Sequence, residues 1–244
     1  SKLMGRAVTN RGIGGNTSSQ IAARQGGRPI YMTFVGGEIP ASGSVRVQTF
    51  TVPPMTQYGR QHLERTIAGV PGVLHRRSDS HYEFIRSEAG RAVKVPVALP
   101  FMMDIGQTDF EIAIIWAGRN NYDEPERVLS DVRAMVDFLK PLNKRFVVMP
   151  PINSAYRGEQ EGGSHYQHFV RIRDGLREAY PNNFLDIWQL LVEDYDPDNP
   201  QDVADYRNGI PPSSLRSDPL HLNNEGARRV AQHVRDYLVD FKGY

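Results

Sequence analysis

Asp109-Phe110-Glu111-Ile112-Ala113-Ile114-Ile115-Trp116 is the run from which the fold is read. Its second half is continuously apolar and short, which suits a strand covered on both faces, as in a parallel sheet. It ends in the polar loop Ala117-Gly118-Arg119-Asn120-Asn121-Tyr122. A helix is predicted from Glu124 to Leu139, with Val128, Val132, Met135, Val136 and Leu139 on one face. Arg145–Met149 is the next expected strand, followed by a polar, Gly-rich loop from Pro150 to Gly163 and a helix over Tyr166–Tyr180. Phe184–Ile187 reads as a further short strand. Asp194–Ser217 then reads as one loop, of a length that marks functional loops in compact domains.

Upstream of this region the pattern changes. Tyr31–Val35, Ser44–Phe50, Tyr82–Arg86 and Ala92–Val97 are short alternating or β-branched runs. Gly36-Gly37, Ala41-Ser42-Gly43 and Gly69-Val70-Pro71-Gly72 stand as punctuation between them. They predict a small antiparallel β lobe over residues 31–106, inserted into the larger domain as a lid or substrate-recognition wall. Ahead of it, Ala7–Asn10 is expected to be a strand, Asn10–Ser18 a Gly-rich loop, and Ser18–Arg24 the start of a helix. The loop is neither a Walker P-loop nor a GxGxxG fingerprint. Residues 1–30 and 107–244 are thus expected to form a three-layer α/β domain on a doubly wound parallel sheet. Ligands of such sheets sit beyond the carboxyl ends of the strands, where Gly12–Thr17, Gly118–Asn121, the Pro150–Gly163 loop and Asp218–His221 would converge.

Composition narrows the field of functions. The 244 residues are 39% hydrophobic and 23% charged, with 22 Gly and 17 Pro, as befits a turn-rich globular chain. A net charge of +1 gives no reason to expect nucleic acid or a membrane surface as partner. With no Cys, a disulfide, a thiolate metal site or a Cys nucleophile is excluded. No apolar run is long enough to span a bilayer, and residues 1–20 lack the apolar core of a signal peptide. The compartment stays open. Ser1–Arg6 reads like the end of a helix with Gly5 as its C-cap, so the chain looks as though it starts within a domain.

The chemistry concentrates in Ser217-Asp218-Pro219-Leu220-His221-Leu222-Asn223. A carboxylate three residues before a His can hold Nδ1–H and fix the tautomer. That leaves Nε2 to take a proton from a nucleophile. Asn223 is placed to cap a helix over Asn224–Phe241, with Glu225 in its first turn.

In this order the pieces resemble the SGNH (GDSL-type) hydrolases. Asn10–Thr17 is similar to that family's second block, and Gly118-Arg119-Asn120-Asn121 to its GxND block, with Asn121 where Asp is usual. Asp218-Pro219-Leu220-His221 is similar to its DxxH block. The resemblance covers residues 5–30 and 107–241 and implies a flavodoxin-like α/β/α fold. It also implies His221 as general base, Asp218 as its orienting carboxylate, and the Gly15 N–H and Asn120 side chain as oxyanion donors. The activity implied is hydrolysis of short acyl esters, acetyl on carbohydrate as the family-level expectation, with no metal or cofactor. Arg119, Tyr156 and Arg216 are the expected substrate contacts.

The family's Gly-Asp-Ser nucleophile block is absent, and no GxSxG stands in for it. Either the nucleophile lies on an N-terminal segment outside this chain, or the chain is a pseudoenzyme, a glycan- or protein-binding module on the same scaffold. The helix-end reading of Ser1–Arg6 favours the first. Ser18 and Ser19 are better explained by helix capping, and Ser213, Ser214 and Ser217 as turn residues. His165 and His168 share a helix face at a metal-binding spacing, but no third ligand is placed beside them.

Overall fold

The computed structural model describes residues 5, 7–58, 61–78, 81–101, 112–139 and 144–243. The chain divides into two compact units. A helical unit comprises Ser1–Arg11, Phe110–Val132 and Pro141–Tyr244, and a β unit comprises Gly12–Asp109 and Arg133–Lys140.

The β unit opens with helix α1 (Ser18–Gln25). Thr17 caps it in a capping box: the Gln20 amide donates to Thr17 Oγ1, and the Thr17 amide donates back to Gln20 Oε1 at 3.0 Å. Eight strands follow: β1 (Ile30–Phe34), β2 (Glu38–Ile39), β3 (Ser44–Phe50), β4 (His62–Ile67), β5 (Val70–Arg76), β6 (Tyr82–Arg86), β7 (Val93–Lys94) and β8 (Leu99–Phe101). Six of them form one strongly curled antiparallel sheet in the order β4-β5-β6-β3-β1-β8, and β2 pairs separately with β7. Period-two burial drives this. Ile30, Met32 and Phe34 point inward from β1 while Tyr31 faces out, and Leu74 and Phe84 join them from β5 and β6. The rings of Phe34 and Phe84 lie 6.2 Å apart in the centre of that core.

The helical unit contains strands β9 (Ala113–Trp116) and β10 (Phe146–Met149), paired in parallel. Its helices are the first part of α2 (Pro125–Phe138), α3 (Tyr166–Ala179), α4 (Ile187–Glu193), α5 (Pro200–Arg207) and α6 (Asn224–Asp236). A π-helical turn over Tyr237–Phe241 extends α6. Val147, Met149, Phe169, Ile187, Trp188, Leu191, Leu215 and Val234 share one core. Gly175 lets α3 close on α2, where a Cβ would come within 2.7 Å of Leu129.

This architecture overturns the expected parallel, flavodoxin-like sheet. The main sheet is the antiparallel one, and among the described residues parallel pairing is confined to β9 and β10 and a single bridge from Val148 to Phe184. Phe184–Ile187 goes no further as a strand because Asp186 accepts from the Gln189 amide and starts α4 at the next residue. Ala7–Asn10 is irregular and exposed. The expected long loop holds α5, capped by Asn199, whose side chain accepts from the Gln201 amide at 3.0 Å, with Pro200 at its first turn. Asp109–Glu111, and Ser1–Arg6 apart from Gly5, lie outside the described residues.

Gly69-Val70-Pro71-Gly72, read as punctuation, instead begins β5. The two residues before Val70 form a tight hairpin with Ala68 at φ 51° and Gly69 at φ 77°. A Cβ at Gly69 would meet nothing within 4 Å, so only backbone strain opposes one. Gly69→Ala is expected to cost about 1–2 kcal/mol in urea unfolding; an unchanged midpoint would contradict the turn.

Candidate active site

The dyad turn is built before α6. Asn223 Oδ1 accepts from the Gly226 amide at 2.9 Å and caps the helix, while its Nδ2 donates to the Ser214 carbonyl at 2.8 Å. The Ser217 amide donates to the His221 carbonyl at 2.8 Å and closes the turn. Inside it, Asp218 Oδ1 accepts from the Leu220 and His221 amides, both at 2.7 Å, and Oδ2 lies 2.8 Å from His221 Nδ1. The His221 amide, then its ring, then the Leu220 amide hold the Asp218 carboxyl down at about 2. The His221 side chain is 70% exposed. Among the described residues no Ser or Thr hydroxyl bonds to its ring.

Two neighbouring loops are tied to each other through Glu159, and one of them to this turn. Its carboxylate, 5% exposed, receives Arg119 Nη2 at 3.0 Å and the Ser154 amide at 2.9 Å. Arg119 lies over the rings of Tyr122 and Phe169 at 5.1 and 5.4 Å. Burial, then the Glu159 charge, push the Tyr122 phenol up. The Asn153 side-chain amide donates to the Glu159 carbonyl, and the Ala155 amide donates to the Pro219 carbonyl at 2.9 Å, inside the dyad turn itself. The loops after β9 and β10 therefore join the turn that carries Asp218 and His221.

α5 braces the same turn from the other side. Buried Asp202 accepts from the Ser213 and Ser214 hydroxyls and the Ser214 amide. Burial opposes its charge, but these bonds outweigh it and leave its carboxyl below the ordinary value. Asp205 accepts from Arg216 Nη2 at 2.7 Å, and Arg216 Nε donates to the Pro211 carbonyl.

The expected site residues are thus placed unequally. Asp218 and His221 are in contact. Asn120 is exposed on the 3-10 turn Arg119–Asn121 that follows β9. Gly118 starts that turn at φ 107°, where a Cβ would lie 2.7 Å from Val128. The Arg119 and Arg216 guanidiniums are each engaged by a buried carboxylate, Glu159 and Asp205, and so hold loops together. Tyr156 is 54% exposed, one residue beyond the Ala155 tie. Gly15 belongs to the β unit, and among the described residues nothing accepts from its N–H. Thr17, not Ser18, caps α1, and Ser18 is fully buried. His165 and His168 pack beside Tyr122. Among the described residues no group of three or more His, Asp or Glu is placed to hold a metal ion.

Sequence reading missed Glu159, Asp202 and Asp205. The Asn199-Pro200 cap signal could have revealed α5 and with it both aspartates. A Glu in a polar, Gly-rich loop carries no such signal.

No family model matches the chain. A tail spike protein of Salmonella phage epsilon15 is 28% identical to it, over an alignment that covers 98% of this chain and 25% of that protein. The chain spans about a quarter of that relative's length.

The lowered Asp218 carboxyl has a sign that can be checked. Its folded value lies below the usual one of about 4, so its contribution to the turn is complete above about pH 4 and is lost as pH falls through about 2. The carboxyl carbon of Asp218, followed by NMR, is expected to titrate near pH 2; a midpoint near pH 4 would dissolve the dyad geometry. Glu159→Ala leaves Arg119 without its partner. Because Arg119 is 23% exposed, the expected loss is about 3 kcal/mol, the low end for breaking a buried pair. Denaturant unfolding measures it, and a loss under about 0.5 kcal/mol, the range of an ordinary surface change, would remove Glu159 as the tie between loops.

Proposed function

We propose that this chain carries the general base of an SGNH-type serine esterase acting on short acyl esters, acetyl groups on carbohydrate above all. The observation that carries the reading is the Asp218–His221 pair. One carboxylate oxygen is locked by two backbone amides and the other holds Nδ1, which orients Nε2 outward as a base.

In this reading a Ser Oγ attacks the acyl carbon while His221 Nε2 takes its proton. The oxyanion is held by the Asn120 side-chain amide. Collapse breaks the acyl–oxygen bond, and the leaving alcohol takes the proton back from His221. Water, deprotonated by the same base, then attacks the acyl-enzyme and releases the acid and the Ser. The nucleophile of this reading is the Ser of the family's Gly-Asp-Ser block, which residues 1–244 do not contain. Tyr156 is the exposed rim contact for the substrate.

The substrate class rests on the resemblance carried by Asn10–Thr17, Gly118–Asn121 and Asp218–His221.

The test is labelling of the protein, expressed with its natural flanking sequence, by a fluorophosphonate probe. The expected result is one adduct on a Ser outside residues 1–244. His221→Ala is expected to slow labelling and ester turnover by about 10⁴-fold or more. An unlabelled protein, or labelling indifferent to His221, would overturn the esterase and leave a binding module.

A further inference from the structure

Strand register places a row of titratable side chains across the β unit. His62 of β4 stands opposite His75 of β5, His75 opposite Glu83 of β6, and Glu83 opposite Arg46 of β3. Cross-strand partners share a face. This face is turned away from the core, because the neighbours Leu74 and Phe84 are buried. With strands about 4.8 Å apart, the row runs about 14 Å from β4 to β3. Its one carboxylate is already taken. Arg77 Nε and Nη2 donate to Glu83 Oε2 at 2.8 and 2.5 Å, and His81 Nε2 stands 3.5 Å from Oε1. Among the described residues nothing engages the side chains of His62, His75 or Arg46. Glu64 is the other acid of these four strands, while Arg65, Arg76 and Arg86 alternate onto the opposite face. Beside Arg46 the row opens into a groove. β6 pairs with β3 only over Ser44–Arg46, and past its end Val35, Arg46, Gln48, Phe50, His81 and Tyr82 line the hollow.

We propose that this face of the β unit binds an acidic peptide segment of a partner protein, and binds it more tightly as the histidines take up protons. At high pH Arg46 and Arg77 balance Glu64 and Glu83. Histidine is the side chain that charges between pH 5 and 8. Each imidazole of His62, His75 and His81 that does so adds to a positive excess no acid of these strands offsets. Carboxylates laid along the row supply the missing counter-charge. The groove decides for a peptide over a purely polar anion. Val35 is exposed and Phe50 half-buried there, so an apolar side chain following the acids gains contact area. The site lies wholly within the β unit and does not rest on the esterase reading.

The probe is a hexapeptide of five glutamates and a terminal phenylalanine amide. It is titrated by NMR into the isotope-labelled 244-residue chain at pH 8 and at pH 5.5, in equal salt. Its carboxylates stay largely ionised at both values. The expected result is shifted amides in β3, β5 and β6, with binding about tenfold tighter at pH 5.5, the sum of several exposed ion pairs. His62→Gln combined with His75→Gln is expected to remove most of that gain and leave binding at pH 8 unchanged, although every other histidine remains. Arg46→Gln is expected to weaken binding at both pH values. Affinity indifferent to pH, a gain that survives the double substitution, or binding untouched by Arg46→Gln would overturn the site. Equal or tighter binding of polygalacturonate, an acidic chain without apolar side groups, would overturn the peptide as its ligand.

Discussion

The helical unit depends on the carboxylate of Glu159. A buried carboxylate is costly unless its oxygens are filled, and here they are filled by groups from two different loops. Arg119 reaches it from the turn after β9, and the Ser154 amide from the loop after β10. The next amide along, Ala155, donates to Pro219 within the dyad turn. Satisfying one buried charge therefore sets two loops against each other, a backbone bond adds the dyad turn, and the position of Asn120 follows from that of its neighbour Arg119.

The dyad itself is made differently. Asp218 and His221 meet through a three-residue turn whose own amides fill the second carboxylate oxygen, so the contact needs little from the core. That explains how a carboxylate open to solvent still has a strongly lowered titration point. Its ligands are local and fixed by the backbone. What the rest of the unit adds is direction. α5 grips the preceding segment through Asp202 and Asp205, and the Asn223 cap joins the turn to α6. Orientation of the base is thus a property of helix packing, while the base pair is a property of the turn.

The sheet of the β unit is closed by burial. Alternating residues of β1, β5 and β6 close on Phe34 and Phe84, and the sheet curls around them. At its margin the segment Pro53–Tyr58 is fastened to the Gly-rich loop. Gly15 is required there for two reasons: its φ of 72° and the ring that occupies the place of a side chain.

The short-range features were determined by the sequence itself. The Asp218–His221 pair, the Asn223 cap, and the strands of residues 44–50 and 82–86 depend on spacings of two to four residues, which a linear reading resolves. The sheet was decided elsewhere. β9 and β10 pair in parallel as their apolar runs suggest, yet Asp186 turns the next segment into a helix, and the larger antiparallel sheet takes the strands between residues 30 and 101. Arg119 and Arg216 likewise could be read only as available cations, because their carboxylates stand 40 and 11 residues away. Pairings of that separation carry no local signature. Only the folded chain brings a buried acid to a particular base, since the cost of leaving either unpaired arises only once both are removed from water.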